Sequence, residues 1–407
     1  MAESSPTHRA MASLTNLVCV SELTYPGIAV LTHNTANSLI SIDLTEDWMN
    51  GSVTLQSTPK PPEVPNLKDG GLWVDHRHGV LYTGFAGTTP SFGNPAPSPQ
   101  GLWSFTPDQT GVGSWENLNQ SADGSFTRNP RPFNGHATSG HGYGFFIGGI
   151  TSSVGSSLTP GLTGFPTGSP AGTFEGDTRP FGGFMTYGFT DRKVYINSNI
   201  FNNDNGPTQG PGRSYGLNYN SHWGKRGILI SMGGGNQDPS DNDGLATFDN
   251  VLVYDIDGQQ WLQQHTSGDV PQPRRDFCIA GSPSTNRTYE ILVYAGWDGR
   301  SGSDAIPFDS AYVLTLPGFF WIKADYPATS PRRGLTCNAV GGNQILTVGG
   351  VDATQQGDDE KTGFNTADPF AQGLAIFDLS SLTWKGSYTA RRPVQPPAPQ
   401  IQAYYNT

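Results

Sequence analysis

Residues 331–350 read PRRGLTCNAVGGNQILTVGG, and residues 273–296 read PRRDFCIAGSPSTNRTYEILVYAG. In each, a basic pair (Arg332-Arg333, Arg274-Arg275) opens a stretch of small residues. A β-branched apolar run follows (Ile345-Leu346-Thr347-Val348, Ile291-Leu292-Val293-Tyr294) and ends on Gly349-Gly350 or Ala295-Gly296. An aromatic and then a tryptophan come later, Phe377 and Trp384 in one copy and Tyr312 and Trp321 in the other. A third copy starts at Gly212-Arg213 and continues through Ile228-Leu229-Ile230, Gly233-Gly234, Tyr254 and Trp261. Self-similarity at a spacing of roughly 55 to 80 residues marks a repeat architecture.

Each copy reads as four short strands. Tyr254 to Trp261 and Phe377 to Trp384 have the same spacing, around Asp257-Gly258 and Ser380-Ser381. That spacing predicts a tight hairpin with its two aromatics packed across the strands. Weaker copies begin at Lys68, with Gly70-Gly71, Trp73, Val80-Leu81-Tyr82, Trp103 and Trp115, and at Arg131, with His136, Phe145-Phe146-Ile147, Gly148-Gly149 and Tyr187. Near the start, Ile28–Leu31, Leu39–Asp43 and Trp48 read as a blade lacking its first strand, and Ile401–Tyr405 is the expected supplier. Pairing the two chain ends removes the open edges of a sheet array.

The double glycine followed by a spaced aromatic and Trp resembles the kelch repeat. The resemblance covers nearly the whole chain from about Thr24. It implies an all-β, six-bladed kelch-type β-propeller rather than a seven-bladed one, closed by its N- and C-terminal strands over residues 24–407, with residues 1–23 as a flexible tail. The pattern is similar to that of fungal kelch-repeat proteins, many of which carry a C-terminal membrane span; no such span precedes Thr407. This fold hosts many functions, so the resemblance implies little about activity.

Composition agrees with short strands and long loops. The 407 residues include 53 Gly and 32 Pro, only 35% are hydrophobic and 14% charged, and 9 Trp, 15 Tyr and 21 Phe supply a core. Gly and Pro are the poorest helix formers. The net charge of −11 and the lack of any basic run beyond two residues argue against nucleic acid as a partner. No stretch reaches the roughly 18 apolar residues of a membrane span. Cys19, Cys278 and Cys337 stand at unrelated spacings and suggest neither a disulfide framework nor a zinc signature. Met1 to Cys19 builds no continuous apolar run of a secretory leader. On that reading the sequons at Asn50, Asn119 and Asn286 are chance matches, and the expectation is a cytoplasmic monomer.

Blade topology predicts one functional face. The loop leading into a blade's first strand and the loop joining its second and third strands emerge on the same side. The first set carries Lys68, Arg131, Arg213, Arg274-Arg275 and Arg332-Arg333. The second set is long, at 86–100, 150–182, 235–250, 297–310 and 351–372, and loops of that length are uncommon in compact domains unless they are functional or disordered. Such arginines either pair structurally with nearby carboxylates or read an anionic or carbonyl-bearing ligand.

No cofactor motif stands out. The histidines do not fall as a copper site of the galactose-oxidase type requires, a type that kelch-like propellers include. Asp238, Asp241 and Asp243 lack the spacing and closing Glu of a calcium loop. No nucleotide fingerprint or nucleophile elbow is present. The inner strands carry Trp73, Phe133, His136, Tyr215, Asp276, Phe277 and, through closure, Tyr404. This predicts an aromatic pore pocket. One expected function is therefore a cofactor-free cyclase, isomerase or pericyclase acting on an apolar, partly oxygenated small molecule, as in fungal specialised metabolism. Tyr215, His136 and Asp276 would handle protons there. Lys68, Arg131, Arg213, Arg275, Trp297 and Arg333 would bind substrate with the aromatic walls. The alternative is a protein-interaction propeller whose long-loop face binds an acidic peptide.

Overall fold

The computed structural model describes residues 38–64, 67–88, 102–108, 113–118, 132–133, 135–152, 178–181, 183–197, 216–235, 244–300, 302–352, 354 and 368–406. Five antiparallel meanders form the body. Blade 1 comprises Leu67–Asp75, Val80–Thr88, Trp103–Thr106 and Ser114–Asn117; blade 2 comprises His136–Gly140, Tyr143–Ile147, Phe184–Gly188 and Val194–Asn197. Blade 3 comprises Gly216–Asn220, Ile228–Met232, Asn250–Asp255 and Gln260–His265. Blade 4 comprises Cys278–Pro283, Tyr289–Tyr294, Ala311–Leu316 and Phe320–Lys323, with Ser267–Gly268 added in parallel at its outer edge. Blade 5 comprises Thr336–Ala339, Gln344–Val348, Leu374–Asp378 and Thr383–Lys385.

The first strands of successive blades run beside one another and form the inner wall. The sheets pack face to face through apolar layers. Ile230, Met232 and Phe248 of blade 3 meet Phe277, Ile291 and Trp321 of blade 4, and Leu292 and Tyr294 of blade 4 meet Ile345 and Phe377 of blade 5. Strands buried on both faces lose the polar alternation of a one-sided sheet. This explains the unbroken apolar run Ile291–Tyr294 and the buried run Ile345–Val348, whose one polar residue, Thr347, bonds its hydroxyl to Ala375 O at 3.3 Å.

The predicted hairpins form in the expected register. Tyr254 pairs with Trp261 and Phe377 with Trp384, with ring centroids 4.9 and 5.0 Å apart. The double glycine also has a direct cause. Gly148-Gly149, Gly233-Gly234 and Gly349-Gly350 all hold φ between 60° and 101°, a region that side chains disfavour. In blade 4, Ala295 takes the first of these positions at φ 63° and is fully buried. The second position carries an inter-blade bond: Gly234 N–H donates to Arg274 O, and Gly296 N–H to Arg332 O, both at 2.9 Å. The turns of blades 3 and 4 thus tie each of these blades to the arginine that leads into the next.

Two expectations change. Five blades form among the described residues, not six, and no terminal strand closes them. The segment expected to supply that strand, Ile401–Tyr405, lies in the α-helix Pro399–Tyr405. Proline at the first helical position is favourable there. Ile401 is buried against Leu379, Leu382 and Ala398, Tyr404 stacks on Phe320 at 4.2 Å, and the Tyr405 hydroxyl accepts from Gly318 N at 3.0 Å. The helix therefore seats on the ends of blades 4 and 5 that lie opposite the long loops. Its proposed partner, Ile28–Leu31, falls outside the described residues. Ser38–Ile42 pairs with Leu55–Pro59 as a two-stranded sheet. Leu39 packs on Leu81 and Phe105 of blade 1, and Ile42 packs on Leu346 and Ile376 of blade 5. Trp48–Met49 pairs with Ser387–Tyr388, and the Trp48 and Tyr388 rings stack at 5.2 Å. Among the described residues no helix is long and apolar enough to cross a membrane.

Candidate functional site

In blades 4 and 5 the lead-in arginines sit beside the first residues of the loops that follow each second strand. Arg275 and Trp297 exchange backbone bonds (N to O 2.9 Å, and 2.7 Å in return), and Arg333 does the same with Val351 (2.9 and 3.0 Å). These bridges lock each basic segment to the loop that follows its own second strand.

The two arginines of each pair have different surroundings, because adjacent residues of an extended chain point to opposite sides. Arg274 and Arg332 turn inward and are 1% and 3% exposed. Arg274 donates to Gln272 O and Ala295 O at 3.0 and 3.1 Å, and its guanidinium lies 4.1 Å from the Phe308 ring centroid. Burial pulls its pKa down to about 10. Arg332 lies 3.7 Å from Asp368, whose carboxyl is raised by burial and partly offset by that arginine. These two guanidiniums serve packing.

Arg275 and Arg333 converge on one indole. Their guanidinium carbons lie 4.5 and 3.9 Å from the Trp297 ring. An aromatic face attracts a cation through its quadrupole and favours Arg, whose plane can stack on the ring. The indole N–H donates to Arg300 O, and Arg300 in turn pairs with Asp298 at 2.6 Å. Arg333 also lies 3.4 Å from Asp276. Asp276 holds φ 55°, a strained setting that Asp tolerates better than most residues, and its carbonyl accepts from Gly334 N at 2.8 Å. Arg275 has no carboxylate partner among the described residues, and its Nε is buried without a hydrogen bond. Arg275, Arg333 and Asp276 are all partly open to solvent.

The remaining sequence candidates scatter. Trp73 is 1% exposed and sits in the core between blades 1 and 2 with Phe146, Met185 and Tyr187, its indole donating to Phe145 O at 2.9 Å. Phe277 is buried between blades 3 and 4. Neither lines a pore: both fill the gaps that sheet-on-sheet packing leaves. Phe133 lies on a separate short strand, Pro132–Phe133, paired to Ile150–Ser152, and not on the inner wall. Tyr404 is on the C-terminal helix, on the opposite face. Lys68 lies in the first strand of blade 1, but its side chain is outside the described set, as is that of Phe133. Arg131, Arg213 and Tyr215 lie outside the described residues.

His136 opens the inner strand of blade 2, paired with Ile147. Desolvation lowers its pKa from 6.5 to about 4, so the folded chain holds it neutral where the unfolded chain would protonate it. Its contribution to stability is intact above pH 6.5 and is lost as the pH falls from there toward about 4. His136→Gln is expected to remove that share of acid lability, about 1–3 kcal/mol after allowing for partial solvent access. Urea titrations of both proteins at neutral and acid pH measure it. Equal acid losses in the two would show that the folded imidazole already accepts the proton.

Sequence reasoning missed one pairing. Cys278 and Cys337, on the inner strands of blades 4 and 5, form a disulfide with Cα atoms 5.3 Å apart, a normal separation for such a bond. The expectation that these cysteines are unrelated is corrected. The available signal was the repeat itself, since each follows the arginine pair of its blade by a few residues.

No family model matches the chain. A kelch repeat-containing protein of Arthroderma benhamiae is 32% identical over 181 residues, which is 43% of this chain and 24% of that protein. The Rho GTPase-activating protein gacHH of Dictyostelium discoideum is 27% identical over 114 residues, 27% of this chain and 7% of that protein. The chain thus matches only a quarter or less of the length of these relatives. The double-glycine turns, the aromatic–Trp hairpins and the five blades make the chain an all-β propeller, similar over 43% of its length to the kelch repeat-containing protein of Arthroderma.

Proposed function

We propose that the long-loop rim is a protein-binding surface that captures a carboxylate of an acidic peptide segment through Arg275, with Trp297 and Arg333 as its platform. The observation that carries this reading is the stack of Arg275 and Arg333 on Trp297, with Arg275 lacking any carboxylate partner among the described residues. A guanidinium held over an indole face is pre-organised for a two-point bond to a carboxylate. Small-molecule turnover is less well supported, because Trp73 and Phe277, its expected pocket walls, are core residues.

The test is binding of the full chain to an array of Asp/Glu-rich peptides and their Asn/Gln counterparts. Arg275→Ala and Trp297→Ala are each expected to weaken acidic-peptide binding about ten- to hundredfold, the worth of one charge-assisted hydrogen-bonding group. Added salt should weaken it as well. Arg226→Ala, on the opposite face where Arg226 pairs with Asp257 at 2.9 Å, should leave it unchanged. Acidic and amidated peptides binding equally, or both rim variants binding as wild type does, would discard this assignment.

A further inference from the structure

We propose that Asn286 carries an N-linked glycan, installed in the oxidising secretory lumen where the Cys278–Cys337 cross-link also forms. Asn286-Arg287-Thr288 is an acceptor sequon. It caps the hairpin between Cys278–Pro283 and Tyr289–Tyr294, and Asn286 is exposed at the tip. An open depression lies alongside, lined by Pro317, Pro397, Gln402 and Tyr405. It offers proline, tyrosine and amide surface to a proximal sugar. The sequon at Asn50 is different: its side-chain amide is part-buried and donates to Leu374 O at 2.9 Å, so that nitrogen is engaged by the fold where Asn286 is exposed. The structure therefore separates two sequons that the sequence leaves equivalent.

The cross-link is the second, independent observation. Protein disulfides persist in oxidising compartments and are rare where thiols are kept reduced. One compartment supplies both modifications. In glycan transfer, the Asn286 amide nitrogen bonds to the anomeric carbon of a polyprenyl-diphosphate-linked oligosaccharide. The bond from that carbon to the diphosphate oxygen breaks, the diphosphate leaves with the electron pair, and the amide proton passes to a carboxylate of the transferase. In cross-linking, two thiols give two electrons and two protons to the disulfide of a luminal oxidant. Thr288 Oγ1 is buried, bonded to Ser284 and Glu290 at 2.6 Å each, so transfer precedes closure of this hairpin.

The position matters for the rim. Asn286 lies at the far end of the strand that begins at Cys278, about 20 Å from the arginines at a strand rise of ~3.3 Å per residue. A glycan there covers the face opposite Arg275 and Trp297 and leaves the rim open.

The test uses the native protein, alkylated at lysis and digested without reductant, with and without peptide N-glycosidase in heavy-oxygen water. The peptide holding Asn286 should appear only after the glycosidase, its asparagine converted to aspartate bearing heavy oxygen. The Asn50 peptide should be unmodified in both digests, and Cys278 and Cys337 should emerge joined. When the chain is secreted from yeast behind a leader, Asn286→Gln should remove one glycan's mobility step. An unmodified Asn286 peptide in the native digest would overturn the proposal, as would Cys278 and Cys337 recovered in alkylated form.

Discussion

Replacing both Cys278 and Cys337 with alanine is expected to lower the unfolding free energy by about 4 kcal/mol. The cysteines are 59 residues apart and sit at the start of consecutive inner strands. The loop they close contains the four meander strands of blade 4, Cys278 to Lys323, together with the chain leading into blade 5. In the unfolded ensemble the bond forbids every conformation in which those ends separate, and the lost loop-closure entropy grows slowly with loop length. The native fold should survive, because the blade 4–blade 5 interface also holds Leu292, Tyr294, Ile345 and Phe377. Urea unfolding of the wild type with and without reductant, beside the double variant, measures the effect. Reductant should shift the wild-type midpoint to that of the variant and leave the variant where it is. Coincident midpoints for oxidised wild type and variant would show that the cross-link adds no stability.

Trp73→Ala is expected to cost about 3–5 kcal/mol, the range for deleting a large aromatic from a core. Trp73 fills the gap between blades 1 and 2. It stacks against Tyr187 with centroids 5.7 Å apart and planes within 5°, and its indole N–H is bonded to Phe145 O. The facing residue is Gly144, where a Cβ would fall 2.2 Å from the indole. The glycine gives the ring its space, so Gly144→Ala should also destabilise. A residue lining a ligand pocket would behave differently: its removal would weaken ligand binding and leave the unfolding midpoint nearly unchanged. A Trp73→Ala midpoint within the equivalent of about 1 kcal/mol of wild type would return this residue to the pore wall.

The elements legible in the sequence are those whose cause is local. Tyr254–Trp261 and Phe377–Trp384 could be placed because a tight turn fixes strand register over a few residues. The double glycines could be read as turns because left-handed backbone is a property of the residue itself. The common rim followed from strand alternation alone, and the Arg275–Trp297 and Arg333–Val351 bridges agree with it. The split between Arg274 and Arg275 was within reach by the same alternation, although the identity of the inward ring partner, Phe308, was not.

The repeat and the all-β class are thus written in the order of residues along the chain. The blade count, the cross-link and the separation of core aromatics from rim aromatics are not. Ile401–Tyr405 has a composition that suits a strand or a short helix, and Phe320, Gly318 and Leu379 decide between them by offering a seat shaped for the helix. Cys278 meets Cys337, and Trp73 meets Tyr187, only after whole blades have stacked. Those pairings depend on how one sheet face lies on the next, and no local pattern encodes that distance.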